Sequence, residues 1–265
     1  MSKIEFEPTD NKVGCFIYTN LKEVKKEQID EIKKLLNKYG VLFFKNQSLS
    51  PKEYINFSSN FGIPAKYPML KPHKDFKDIY VIERKKTDTG KSFGEGPHTD
   101  SSYLESPPRF TFLQAVEVPE EGKGNTLFYN QFLAYEALPE EMKQKIENLK
   151  GIFSSQGKIA QTRKLRMADH GTSKTKEIKS EHKLVQSIDG RKTIYCSPGH
   201  VVGIVNSSSE QEELISFLSS HQINENFSYS FGWKKGDIAL WSNRSMLHAA
   251  TAFNGDRKMF RITVQ

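Results

Sequence analysis

Apolar residues recur at helical spacing across residues 20–39, at Leu21, Val24, Ile29, Ile32, Leu35 and Leu36, and Gly40 follows as a stop signal. This spacing predicts an amphipathic helix that lays one face on a sheet. Val41-Leu42-Phe43-Phe44 comes next and predicts a short buried strand, after which Ser50-Pro51 opens a second helix with an N-cap and a proline at its first position. Further along, residues 78–82, 110–118, 126–129, 184–188, 193–196, 229–231, 237–241 and 259–264 predict strands, and residues 133–149 and 210–218 predict helices. Many short strands, with helices at the start and in the insertions, predict a mainly β fold with flanking helices. The expected form is a double-stranded β-helix, a cupin-like jelly roll closed at one end by helices.

Length and composition narrow this picture. A chain of 265 residues suits one domain, residues 1–265, because all-β and barrel-like domains often exceed 200 residues without splitting. No composition break marks a linker, no repeat is present, and no apolar run is long enough to span a bilayer. The start lacks an apolar signal-peptide core. Cys15 and Cys196 have no Cys-x-x-Cys spacing, which fits a reducing compartment and a cytoplasmic protein. The formal charge of +7 raises the question of nucleic acid, yet Lys and Arg are interleaved with Asp and Glu. The densest basic stretch, residues 158–183, lacks adjacent aromatics for base stacking. No nucleic-acid or membrane partner is therefore expected; a homo-oligomer is compatible with the chain. The polar residues 155–183, with Gly157 and Gly171, suit a lid or insertion over an active site.

The candidate chemistry lies in two distant blocks. Pro97-His98-Thr99-Asp100-Ser101 places a His and a carboxylate two apart, so on an extended segment both project to one face. Trp241-Ser242-Asn243-Arg244-Ser245-Met246-Leu247-His248 supplies a candidate third ligand, His248. Two imidazoles and one carboxylate on one face of an octahedron leave three positions open, the arrangement used by non-heme Fe(II) oxygenases. A bare His-x-Asp is weak by itself, since it is more often a solvated turn. Arg257 and Arg261, four apart on a segment of β-branched and aromatic residues, would point to the same side of a strand. A dicarboxylic 2-oxo acid needs a fixed guanidinium for its remote carboxylate, and Arg257 is a candidate for that clamp.

With these residues assembled, the chain resembles the taurine dioxygenase (TauD/TfdA) family of Fe(II)/2-oxoglutarate-dependent dioxygenases. The resemblance rests on His98-Thr99-Asp100, Ser106-Pro107-Pro108, Ala115-Val116-Glu117-Val118-Pro119 and Gly124-Asn125-Thr126-Leu127-Phe128, and on Gly236-Asp237-Ile238-Ala239-Leu240-Trp241, Asn243-Arg244, His248, Arg257 and Arg261. It implies that His98, Asp100 and His248 hold iron, that Thr126 and Arg257 contact 2-oxoglutarate, and that Arg261 faces the substrate. Pro97 stands where the family often has Trp, and Ser242 where it often has Asp, so a close functional copy of taurine dioxygenase is not expected.

The implied activity is oxidation of a C–H bond of a small, anionic substrate, with O2 consumed and 2-oxoglutarate converted to succinate and CO2. Asp100 favours hydroxylation, desaturation or hydroxylation-driven C–X cleavage, because halogenating relatives lack this carboxylate. Tyr67 and Tyr103 lie near the iron segment in sequence and are candidates to border the substrate, although buried aromatics more often only pack. His73, His170, His182, His200 and His221 lack a carboxylate at ligand spacing and read as surface or packed histidines. The competing reading is a non-catalytic metal-binding jelly-roll protein, a sensor or scaffold, against which stands the complete catalytic set.

Overall fold

The computed structural model describes residues 4–67, 70, 72–160, 162, 176–206 and 211–265. Helix α1 spans Lys26–Tyr39 rather than starting at residue 20. Residues 20–23 instead form a turn: the Lys22 N–H donates to Asn20 Oδ1 and the Glu23 N–H to the Asn20 carbonyl, both at 3.1 Å. The short Asn side chain offers the backbone an alternative to helical bonds. Gly40 does end the helix, with φ 78° and its N–H closing on the Leu36 carbonyl at 2.7 Å. Helix α2, Pro51–Ser59, starts as its sequence predicts, with Ser50 and Glu53 capping each other's backbone N–H.

Among the described residues, seven strands form the largest sheet, in the order β1 (Glu5–Pro8), β2 (Cys15–Tyr18), β3 (Val41–Phe44), β13 (Ile238–Ser242), β5 (Phe110–Glu117), β15 (Arg257–Val264) and β4 (Tyr80–Arg84). All pairings are antiparallel except β2 with β3. A second sheet orders β12 (Ser228–Phe231), β6 (Thr126–Asn130) and β14 (Met246–Ala250). Strands β11 (Val201–Ile204), β7 (Lys150–Ser154) and β8 (Lys179–Lys183) form a third, and β9 (Val185–Ile188) pairs with β10 (Arg191–Ile194).

Strand β3 explains why an uninterrupted apolar run was needed. Leu42 and Phe44 pack with Ile32, Leu36, Tyr54 and Phe57 of the two helices, whereas Phe43 packs with Phe128, Phe231 and Trp241 toward the second sheet. Phe43 stacks on Phe231 with ring centroids 4.3 Å apart and meets Phe128 at 5.5 Å. The central strands are thus covered on both faces.

Residues 133–149 do not form one helix. Helix α3 (Gln131–Glu136) and helix α4 (Glu140–Ile146) are separated at Leu138-Pro139, since proline lacks the N–H a continuous helix requires and restricts the residue before it. Helix α5 spans Gln211–His221. The lid expectation at residues 155–183 falls in part on residues 161 and 163–175, which lie outside those described. Its distal end is not an irregular loop: β8 pairs with β7 from Lys179 to Lys183. No helix among the described residues is long and apolar enough to cross a membrane.

Candidate metal centre

The two histidines meet through the backbone. His98 and His248 form an antiparallel bridge, each N–H donating to the other's carbonyl at 3.0 and 2.8 Å, and their ring centroids lie 4.3 Å apart. His98 is a single bridge residue rather than part of a strand. Asp100 enters a turn directly after it, followed by Ser101 at φ 51°. The side chains converge all the same. One donor atom from each of His98, Asp100 and His248 lies within 4.8 Å of the others, and all three residues are buried. Asp100 Oδ1 is 4.0 Å from His98 Nε2 and 3.7 Å from His248 Nε2. His98 Nδ1 sits 2.8 Å from the Gly96 carbonyl, which fixes the ring so that Nε2 faces the carboxylate.

The charges in this cluster are strongly coupled. Burial alone would raise the Asp100 carboxyl, but the Arg261 guanidinium, the two histidines and a hydrogen bond from Thr111 outweigh it and hold the group far below the usual carboxylate range. Burial, with His98 adding to it, pushes His248 down to about 3, so this imidazole is neutral near pH 7. A neutral imidazole and an ionised carboxylate are the forms that ligate a metal. Two imidazoles facing a carboxylate in a buried site fit a divalent cation, and this donor set is that of non-heme iron oxygenases.

A chain of hydrogen bonds behind Asp100 supports it. Thr111 Oγ1 donates to Asp100 Oδ2 at 2.6 Å, Asn243 Nδ2 donates to Thr111 Oγ1 at 2.8 Å, and Trp241 Nε1 donates to Asn243 Oδ1 at 3.1 Å. Thr111 carried no signal in the sequence, being one small residue inside the apolar strand β5. Trp241 is 1% exposed, and its ring lies 4.7 Å from that of His248 and borders the cavity.

That cavity is lined by His98, Asp100, Thr126, His248, Arg257 and Arg261, together with apolar side chains such as Ile82, Phe93 and Leu113. Gly94 belongs to its wall, at φ 76°, where an added Cβ would lie 3.4 Å from His98 Cε1. Arg257 and Arg261 are both buried on β15, on the same side as the alternation requires. Arg257 Nε and Nη2 have no hydrogen-bond partner among the described residues; its Cζ lies 5.7 Å from the Phe253 ring and 6.0 Å from that of Trp233. Burial lowers the guanidinium to about 10, so it stays charged at neutral pH. Nε and Nη2 form one edge of the guanidinium, the geometry that accepts a carboxylate bidentately. Thr126 Oγ1 accepts a hydrogen bond from Trp233 Nε1 at 3.0 Å.

Arg261 differs from Arg257. Its Nη2 lies 2.9 Å from Asp100 Oδ1, and its Cζ stands 4.5 Å from the Tyr67 ring centroid. Arg261 is thus paired with a carboxylate of the chain itself, and Tyr67 packs on its guanidinium without lining the cavity. Tyr103 is fully buried with Tyr67 and Tyr80, its ring 5.1 Å from that of His200, and it does not line the cavity. His200 is packed, as its sequence context suggests, but against this wall: its ring is 6.3 Å from that of His98.

A buried two-histidine, one-carboxylate cluster between two β-sheets, with a guanidinium in the same cavity, has the donor set of a non-heme iron oxygenase. The chain belongs to the taurine catabolism dioxygenase TauD, TfdA family, whose family model matches residues 5–263. It is accordingly an oxidoreductase of the Fe(II)- and 2-oxoglutarate-dependent dioxygenase class. Among relatives, it is 26% identical to a pentalenolactone F synthase of Streptomyces avermitilis over 263 residues, covering 89% of this chain and 85% of that one. It is 29% identical to an alkylsulfatase of Acinetobacter baylyi, covering 91% and 78%. A taurine dioxygenase structure from Burkholderia xenovorans superposes with a TM-score of 0.82 at 25% identity, covering 99% of this chain and 91% of that one.

Proposed function

We propose that this chain holds Fe(II) through His98, Asp100 and His248, holds the remote carboxylate of 2-oxoglutarate on Arg257 and Thr126, and hydroxylates a C–H bond of a small anionic substrate. The observation that carries the reading is Arg257. A buried guanidinium with two unfilled donors costs on the order of several kcal/mol, and no carboxylate of the described residues offsets it. A dicarboxylic co-substrate supplies the missing partner. When bound, iron and 2-oxoglutarate together supply the oxidising chemistry, with dioxygen consumed and succinate and CO2 released. The two facing sheets are read as the double-stranded β-helix of a jelly roll, and residues 1–265 as one catalytic domain.

The chain's own residues divide the remaining work. Thr111 and Asn243 fix the Asp100 carboxylate, and the Gly96 carbonyl fixes His98. Ile82, Phe93 and Leu113 keep the cavity apolar, which excludes water and strengthens each charge contact within it. Arg261, on the face of Tyr67, is the proposed anchor for the substrate's anionic group, and its partner in this structure, Asp100, is the carboxylate that would hold the metal. An alkylsulfatase and a taurine dioxygenase among the similar proteins support an anionic substrate.

Anaerobic addition of Fe(II) and 2-oxoglutarate should produce a weak visible charge-transfer band, and a screen of small sulfonates, sulfate esters and carboxylates should find one that triggers succinate release. Absence of the band at saturating iron and co-substrate would overturn the reading. Thr111→Val should lower metal affinity by about 10–100-fold, the usual cost of losing an outer hydrogen bond to a ligand. Metal titration followed through the same band checks it.

Arg261→Met separates the two roles open to that arginine. As a substrate anchor, its loss should abolish substrate-triggered succinate release while leaving 2-oxoglutarate affinity intact and Fe(II) affinity equal or tighter, since a competing cation has gone. As a support for Asp100 alone, its loss should weaken Fe(II) binding and leave substrate affinity unchanged.

A further inference from the structure

Outside the active cavity, the described residues hold one more buried arginine with unfilled donors. Arg84 ends β4 directly across from Arg257 in the register with β15. Residues directly opposite in an antiparallel pair share a face of the sheet, and like charges there repel. Arg84 is only 7% exposed, and its Nη2 donates to the Asp88 carbonyl at 3.2 Å. Among the described residues, its buried Nε and Nη1 find no acceptor and no carboxylate forms an ion pair with it.

Arg84 opens onto a cavity of its own. Gly90, Lys91, Ser92, Glu95 and Phe253 line it, and none of these residues lines the active cavity. Ser92, 4% exposed, has a buried hydroxyl that also lacks a partner among the described residues. The one carboxylate in the wall, Glu95, is engaged in closing the local turn: its Oε2 accepts the Ser92 N–H at 2.6 Å, and its own N–H donates to the Ser92 carbonyl at 3.2 Å. Phe253 forms the partition between the two cavities, its ring centroid 5.6 Å from Arg84 Cζ and 5.7 Å from Arg257 Cζ.

We propose that this second cavity is an oxyanion-binding site, separate from the co-substrate site, that takes a small phosphate or carboxylate group against Arg84, Ser92 and Lys91. Buried polar groups are almost always hydrogen-bonded, so three unfilled donors around one cavity call for an acceptor. A charged guanidinium among them selects an anion over a neutral carbonyl or hydroxyl. The flanking Lys91 adds a second positive charge at the mouth. Such an anion would also offset one of the two facing charges of the Arg84–Arg257 pair.

Calorimetric titration of the full chain with inorganic phosphate, and separately with succinate, tests the site and distinguishes the two sources of the anion. At least one of them should bind saturably to the wild type, and that binding should persist in Arg257→Gln. Binding should weaken at least tenfold in Arg84→Gln and severalfold in Ser92→Ala. Should Arg84→Gln fail to fold, Ser92→Ala and Lys91→Gln decide, and unchanged affinity in both would overturn the proposal. So would the absence of saturable uptake of either anion, or uptake lost in Arg257→Gln but kept in Arg84→Gln, which would locate the anion in the active cavity.

Discussion

Asp100→Ala is expected to lose ferrous binding and to destabilise the fold, and the two effects are separable. Asp100 is the one carboxylate of the donor cluster, so its removal should cost more than the about 10–100-fold that loss of an outer hydrogen bond costs a metal site. It also strands Arg261, which is 3% exposed and 2.9 Å from Asp100 Oδ1. Breaking a buried pair from one side costs about 3–5 kcal/mol. Adding Arg261→Met to Asp100→Ala should recover part of that stability, because the double change removes the stranded charge, while metal binding stays lost. Urea midpoints of the four proteins in this cycle give the coupling between the two residues. One equivalent of Fe(II) held by Asp100→Ala as tightly as by the wild type would mean that another group is the ligand.

The parts of this site that the sequence makes legible are those set by short-range rules. The His98-Thr99-Asp100 spacing needs only two residues of backbone, and Arg257 with Arg261 needs only strand alternation. The stop at Gly40 and the cap at Ser50-Pro51 are likewise local chemistry. Other features depend on which strands become neighbours. Thr111 reaches Asp100 and Asn243 because β5 lies next to β13, with Thr111 opposite Trp241 in the register. Trp233 finds Thr126 across 107 residues of sequence. Nothing in the composition of either segment announces these pairs.

Two misread elements show different causes. The break at Pro139 was present in the chain, but the apolar spacing across it continued, and periodicity alone overran the proline. Strand β8, Lys179-Ser180-Glu181-His182-Lys183, has no apolar alternation to find, since it is a sheet-edge strand whose residues are exposed or half-buried in turn. Its place is fixed by pairing with β7 and by His182 Nε2 lying 2.9 Å from the Leu104 carbonyl, both long-range contacts.

Arg257→Gln is expected to raise the 2-oxoglutarate requirement by roughly 100-fold, since losing a charge-assisted contact to a carboxylate costs on the order of 1.5–3 kcal/mol or somewhat more when the contact is bidentate and dry. The sign on protein stability should be opposite. In the co-substrate-free chain Arg257 is a buried cation with two unfilled donors, held down to about 10 by burial, so replacing it with a neutral amide removes a charge that nothing among the described residues balances. The variant without 2-oxoglutarate should therefore melt at the same temperature as the wild type or above it. Adding 2-oxoglutarate with metal should raise the melting temperature of the wild type far more than that of the variant, because stabilisation by a ligand follows its affinity. The metal itself should still bind, as Arg257 contacts none of its three donors. Unchanged 2-oxoglutarate affinity in Arg257→Gln would move the clamp elsewhere, and Arg244 is a poor substitute: its Nε and Nη2 already donate to Gln186 Oε1 and the Ser187 carbonyl at 2.9 Å, outside the active cavity.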